Sequence, residues 1–154
     1  MNLNLELLDL LVDKVREIIS DFKLRSTKDS EYGSINVYAQ DLPGRKKKED
    51  ATYYPYIIVC FDEQTVSDDI DIKMYFLIGI RDDNEDKQGF RDVLQIANKI
   101  YFKLLESPLV GQFRMERECK IMLQQEDTFP FFIGGIETNW KTFEQINMIR
   151  SEFD

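Results

Sequence analysis

A change of hydrophobic period between residues 70 and 105 constrains the fold of this chain more than any other feature. Every even position from 70 to 80 is large and apolar, which predicts a strand with one buried face: Ile70, Ile72, Met74, Phe76, Ile78 and Ile80. The next apolar positions fall three or four apart, as in an amphipathic helix: Phe90, Val93, Leu94, Ala97, Ile100, Tyr101, Leu104 and Leu105. We expect this strand and helix to pack on each other.

The flanking segments extend the pattern on both sides. An apolar stripe at helical spacing predicts a first helix over residues 5–22, and short strands are expected near 35–40 and at 56–61. The segment 56–61 is apolar on both faces, as in a central strand covered on both sides or lying near a subunit contact. Residues 62–69 predict a wide acidic turn into the strand at 70, and polar residues 41–54 predict a projecting loop.

The second half of the chain predicts one more helix end and two more strands. The helix must end by Ser107, because Pro108 lacks an amide hydrogen and restricts the residue before it. Alternation then indicates strands at 113–123 and 131–142, and the Gly134–Gly135 pair in the second suggests a bulge or a close backbone approach. Residues 144–154 keep some apolar character and form either a docking tail or a frayed end.

Together these elements predict one α+β domain over residues 1–154, of order α-β-β-β-α-β-β. It has two layers: a mostly antiparallel sheet of about five strands, with two helices on one side. A chain of 154 residues with 43% hydrophobic content buries a core without help from metals or disulfides. Cys60 and Cys119 lie far apart in apolar runs, as buried cytoplasmic thiols do. We see no secretory signal and no apolar run long enough to span a bilayer, so a cytosolic protein is expected.

The charge balance limits which partners the surface attracts. With 29 acidic and 20 basic residues the net charge is −9, which opposes nucleic-acid binding over the whole surface. The basic run of residues 45–48 could contact phosphates locally. Because two acidic residues follow it at once and no aromatic residue is interleaved, a loop tip or a contact with an acidic partner is favoured over DNA.

The residues that could carry chemistry point away from an enzyme. The chain has no histidine, which removes the usual general base and the commonest transition-metal ligand. Asp82, Asn84 and Asp86 match the start of a calcium loop, but Lys87 and Val93 stand where that loop needs glycine and a carboxylate. We therefore interpret residues 82–86 as a helix start, where carboxylates satisfy free amide hydrogens. No catalytic, metal or cofactor-binding residue is predicted.

A second acidic set could in principle hold magnesium for phosphoryl transfer: Asp62, Glu63, Asp68, Asp69 and Asp71. No nucleotide-binding glycine loop accompanies it. A solvated acidic surface is the favoured interpretation, and a metal-dependent phosphoryl-transfer enzyme is kept as the least favoured alternative.

Three blocks resemble the tail-terminator, or tail-completion, proteins of long-tailed bacteriophages and prophages. They are YPYIIVCF at 54–61, FLIGIRDDNEDKQGFRDVLQIANKI at 76–100 and FPFFIGGIETNWKT at 129–142. The resemblance implies a structural virion protein with a small α+β fold. Such proteins form a ring, typically of six copies, on the head-proximal end of the tail tube, where they stop tail growth and present a surface to the neck. The partners it implies are other copies of the chain, the tail tube protein and a neck or head-completion protein.

On this interpretation the chain is assembled in the bacterial host cytoplasm and ends in the virion tail. Six copies would carry a charge of about −54, so DNA would pass through the lumen without specific binding. Strands 113–123 and 131–142 could extend a sheet between subunits. The alternative is a head–tail connector that contacts DNA through the basic run. The candidate subunit or partner contacts are Arg45, Lys46, Lys47, Lys48, Asp68, Asp69, Tyr75, Leu77, Arg114, Glu116 and Glu118.

Overall fold

The predicted α+β architecture and element order are confirmed by the computed structural model, which describes residues 2–22, 24, 35–43 and 53–142. The two helices each have 17 residues and match the predicted ones closely. Two short strands add to the predicted set. In chain order the elements are α1 (Leu3–Ile19), β1 (Asn36–Ala39), β2 (Tyr56–Val66), β3 (Ile70–Arg81), α2 (Phe90–Glu106), β4 (Leu109–Val110), β5 (Phe113–Met115), β6 (Lys120–Leu123) and β7 (Phe131–Thr142).

All seven strands belong to one sheet. Its order is β1-β2-β3-β7-β5-β4, and β6 also pairs with β7, beyond the end of β5. The β1–β2 pair is parallel and the other pairs are antiparallel. The two longest strands, β3 and β7, are paired from Asp71–Lys141 to Arg81–Phe131 and form the centre of the sheet.

The main core lies between the sheet and both helices. All six even positions of β3 from 70 to 80 are buried, as their period predicts, and they pack with the buried stripes of α1 and α2. The α2 stripe includes Ile96, which is fully buried and which the predicted stripe omitted. Because an apolar side chain gains about 1.5–3 kcal/mol on full burial, this shared core is what holds the helices on one face of the sheet.

Three local predictions are wrong. The acidic turn is narrow, because β2 continues to Val66 across a bulge between Phe61 and Glu63, and only residues 67–69 connect it to β3. Residues 82–86 do not start a helix: α2 begins after Gly89, and Asp82 Oδ1 instead accepts hydrogen bonds from the backbone and side-chain nitrogens of Asn84. The strand predicted at 113–123 is divided into β5 and β6 by residues 116–119, which do not pair with β7 as a ladder.

The glycine pair in β7 is a site of close approach and not a bulge. The register with β3 runs through it without a shift. A Cβ atom at Gly135 would lie 2.7 Å from the Phe76 carbonyl oxygen, and one at Gly134 would lie 2.6 Å from Val93 Cγ1. The missing side chains therefore let α2 and the neighbouring strand backbone approach β7 closely.

Candidate interaction surface

The face of the sheet that points away from the helices is the candidate functional site, and we call it the outer face. Odd positions of β3 and β7 alternate onto it, because side chains along a strand point to opposite faces. The outer face has its own apolar cluster, formed by Leu42, Tyr53, Tyr56, Ile58 and Cys60, to which neither helix contributes a residue. Partly buried side chains pack around this cluster: Tyr38, Tyr54, Tyr75, Leu77 and Ile133.

The two described ends of the predicted projecting loop, residues 41–43 and 53–54, fold back onto the outer face. Leu42 and Tyr53 are 8% and 6% exposed. The Tyr53 hydroxyl donates to the Pro43 carbonyl oxygen, and its ring meets that of Tyr38 edge-on with centroids 6.4 Å apart. The ends of the loop are thus anchored on the sheet. The basic residues Arg45, Lys46, Lys47 and Lys48 lie outside the described residues, as does the tail at 144–154.

Beyond this anchored segment, the outer face opens into a groove of about 380 Å³ that crosses β3, β7 and β6. Its bottom is the paired Leu77 and Gly135, where glycine leaves space above the sheet. Met122 stands at its rim with 44% of its surface exposed. The groove side chains mix apolar groups with two carboxylates: Asp62, Tyr75, Leu77, Met122, Ile133 and Glu137.

A tyrosine and a cysteine are coupled at the edge of this groove. Tyr75 and Cys60 are register partners on β3 and β2. A hydrogen bond with the Cys60 thiol, aided by the nearby carboxylates of Asp62 and Asp41, raises the pKa of the Tyr75 hydroxyl above its ordinary value. Both cysteines are free thiols. The Tyr75 hydroxyl lies at the groove and can donate a hydrogen bond to a partner or accept one from it.

The other end of the outer face is charged, and its lysines form ion pairs with neighbouring carboxylates. Lys141 Nζ lies 3.2 Å from a Glu116 carboxylate oxygen, 3.7 Å from Asp71 and 3.9 Å from Asp69. A hydrogen bond with Glu116, followed by the charges of Asp71 and Glu116, raises the pKa of the Lys141 ammonium. A second lysine, Lys73, lies 3.4 Å from Glu63. Lys73 and Lys141 therefore lie among the acidic residues 62–71 that the sequence offered as a possible magnesium site.

The described part of the chain holds no group of three carboxylates, cysteines or histidines placed to bind a metal ion. The buried acids are used elsewhere. Asp92 is fully buried in the first turn of α2, where its charge suits the positive end of the helix dipole. Asp82 binds the backbone of its own turn.

The structure brings some of the predicted contact residues together and separates others. Tyr75 and Leu77 share the groove, whereas Asp69, Arg114 and Glu116 surround Lys141 at the charged end. Asp68 is exposed in the β2–β3 turn, and Glu118 is exposed in the break between β5 and β6. The prediction that β7 offers a free edge is wrong, because β3 pairs with one side of it and β5 and β6 with the other.

Three members of the surface were not predicted from the sequence: Met122, Ile133 and Lys141. All three lie on the sheet face opposite to the apolar positions from which their strands were predicted. Pairing β3 with β7 in register would have placed Lys141 opposite Asp71 and Ile133 opposite Gly79. Only the long-range register connects these residues, and a single strand pattern does not contain it.

No protein-family model and no curated protein matches this chain. Neither described helix combines the length and the apolar composition that crossing a bilayer requires.

Proposed function

We propose that this chain is a structural protein of a long-tailed bacteriophage or prophage particle. In this proposal, copies of the chain form a ring, of six subunits, on the head-proximal end of the tail tube. The ring ends tube growth and offers the surface that joins the neck or head. The sequence blocks that resemble tail-terminator proteins support this role, and the α+β fold with two helices on one side of the sheet agrees with it.

The observation that carries the proposal is the groove of the outer face, which no described residue covers. Tyr75, Leu77 and Ile133 are only partly buried there, and Met122 is 44% exposed. An exposed apolar groove bordered by polar residues is a feature of protein–protein contact sites. We assign the groove to a protein contact, either with the next subunit of the ring or with the tail tube.

The strand edges offer the second contact that a ring needs. A ring uses unlike surfaces of each subunit, because the same patch cannot meet itself around a cyclic axis of more than two copies. Among the described strands, β1 lies at one edge of the sheet, and β4 and β6 lie at the other. Pairing β1 of one copy with the opposite edge of the next would continue the sheet around the ring.

Assembly of the purified chain, measured by size-exclusion chromatography with light scattering, tests the proposal. Met122→Lys places a charge in the groove and is expected to shift the protein toward monomer. Leu5→Lys is the matched control, because Leu5 is 54% exposed on α1, on the helix side of the molecule. The proposal fails if the unmodified chain is monomeric at every concentration, including in the presence of tail tubes, or if both variants assemble alike.

A head–tail connector that contacts DNA is the second candidate, favoured by the basic run at residues 45–48. It predicts DNA binding that weakens steeply with salt and disappears when these four residues are replaced by serine. Under the tail-terminator proposal the same replacement leaves DNA affinity unchanged, since specific DNA binding is not part of the role.

A further inference from the structure

A second cavity, separate from the groove, lies at the sheet edge between the end of α2 and strand β5. Its volume is about 530 Å³, and it shares no lining residue with the groove. Three apolar side chains, three cations and one carboxylate line it: Leu105, Pro108, Met115, Arg114, Arg117, Lys141 and Glu116. A cavity of this size is in the range that holds a small ligand or two to three side chains of a peptide.

The cations around this cavity differ in whether a carboxylate pairs with them. Lys141 is already engaged by Glu116 at 3.2 Å and by Asp71 at 3.7 Å. The side chains of Arg114 and Arg117 make no hydrogen bond or ion pair with any described residue, and both are exposed. Two guanidinium groups with no charge partner among the described residues therefore line the cavity beside its three apolar side chains.

The strand register adds a second reason to expect an anion here. Arg114 is the direct cross-strand partner of Lys141. Like charges directly opposite each other on neighbouring strands destabilise the pair, and Glu116 and Asp71 relieve this at Lys141 but do not pair with Arg114. Arg117 lies in the break between β5 and β6, outside the ladders that both strands form with β7. Its side chain lines the cavity.

We propose that this cavity binds an acidic peptide segment of a partner protein, in which a carboxylate side chain stands next to an aromatic or aliphatic one. The planar guanidinium groups of Arg114 and Arg117 would hold the carboxylate, a geometry that arginine matches with paired hydrogen bonds. The neighbouring apolar side chain would rest on Leu105, Pro108 and Met115. The site is a separate one from the groove, and binding here does not depend on ring formation.

The surroundings favour such a peptide over nucleic acid. Carboxylates flank the cavity on the side of the charged network, namely Asp69, Asp71 and Glu116. Together with the net charge of −9, they repel an extended polyanion. A single carboxylate bound by the two arginines brings one negative charge near these acids, whereas a polynucleotide brings one with every phosphate.

Titration of the full chain with the peptide acetyl-GEFEG-amide, followed by NMR of the arginine side-chain Nε–Hε signals, tests the proposal. We expect saturable binding below about 1 mM and shifts at Arg114 and Arg117. The isosteric peptide acetyl-GQFQG-amide should bind at least tenfold more weakly. The double variant Arg114→Gln with Arg117→Gln should lose at least tenfold in affinity for the acidic peptide.

Lys120→Gln is the matched control, because Lys120 is an exposed cation on β6 that does not line the cavity. It should bind the acidic peptide as the unmodified chain does, and far-UV circular dichroism should show the same folded spectrum for every variant. Equal binding of the acidic and neutral peptides would overturn the proposal, and so would a loss as large in Lys120→Gln. Inorganic phosphate or a 20-nucleotide single strand binding at these arginines more tightly than the peptide would also overturn it.

Discussion

A buried hydrogen-bond relay in β7 provides a sharp test of the packing that positions the outer face. The side chain of Thr138 is 1% exposed and that of Trp140, the chain's single tryptophan, is fully buried. Trp140 Nε1 donates to Thr138 Oγ1 at 2.8 Å, and Thr138 Oγ1 donates in turn to the Met74 carbonyl oxygen at 2.9 Å. The relay thus ties β7 to β3 inside the main core.

Replacing Thr138 by valine keeps the shape of the side chain and removes both hydrogen bonds. The indole N–H is then buried without an acceptor, which costs about 1–3 kcal/mol. The lost bond to the Met74 carbonyl oxygen adds roughly 1 kcal/mol, and the extra apolar burial of valine offsets part of the total. We expect Thr138→Val to lower the free energy of unfolding by about 2–3 kcal/mol, or roughly 1 M in the urea midpoint.

A double-mutant cycle with Trp140→Phe isolates the contact. Phenylalanine has no N–H to leave unpaired, so Thr138→Val should cost about 1 kcal/mol or less in that background, giving a coupling of roughly 1–2 kcal/mol. Urea unfolding followed by circular dichroism applies to all four proteins, since it does not need the tryptophan. An equal cost of Thr138→Val in both backgrounds would refute the relay.

Three further predictions follow from single contacts. Gly135→Ala should destabilise the protein by about 1–3 kcal/mol in urea unfolding, because the new Cβ would meet the Phe76 carbonyl oxygen, and an unchanged midpoint would contradict this close approach. Burial, aided by Tyr54, raises the pKa of Tyr56, so the unfolded chain ionises first at this residue. The contribution of Tyr56 to the free energy of unfolding should be constant up to about pH 10 and fall above it, and Tyr56→Phe should reduce the fall that urea unfolding measures above pH 10. Lys99→Met should raise the pKa of Asp21 toward its ordinary value in an NMR titration, because the hydrogen bond with Lys99, 2.8 Å long, is the main cause of the lowered pKa. The pKa of Asp127 is lowered by Lys87 and serves as the control, which should not change.

The elements that the sequence predicted best are those with long, regular patterns. Six even apolar positions define β3, and the stripe at helical spacing defines α2, because the core that these side chains form is nearly continuous. The short elements were not predicted, because they are too short to show such a pattern. Strand β4 has two residues, and the break at 116–119 depends on how β5 and β6 each pair with β7, which the alternation of one strand cannot reveal.

The candidate site was predictable only in part. Tyr75 and Leu77 were selected because they are uncharged on the face opposite to the core, and both line the groove. The role of Lys141 depends on three carboxylates that come from β3, the turn before it and the break after β5. Residues so distant in sequence meet only through the sheet register. Residues 82–86 show the opposite error. Their local pattern suits a helix start, but Asp82 instead accepts hydrogen bonds from Asn84 within the same turn.

The central claim, that this chain caps a tail tube as a ring, is tested most directly by adding it to the tail-tube protein encoded in the same genome while that protein polymerises. We predict tubes that stop growing, each with a ring of this chain at one end in electron micrographs. The variant Met122→Lys should leave the tubes uncapped, whereas Leu5→Lys should cap them. Tubes that elongate equally with and without the chain, with no ring at either end, would contradict the claim.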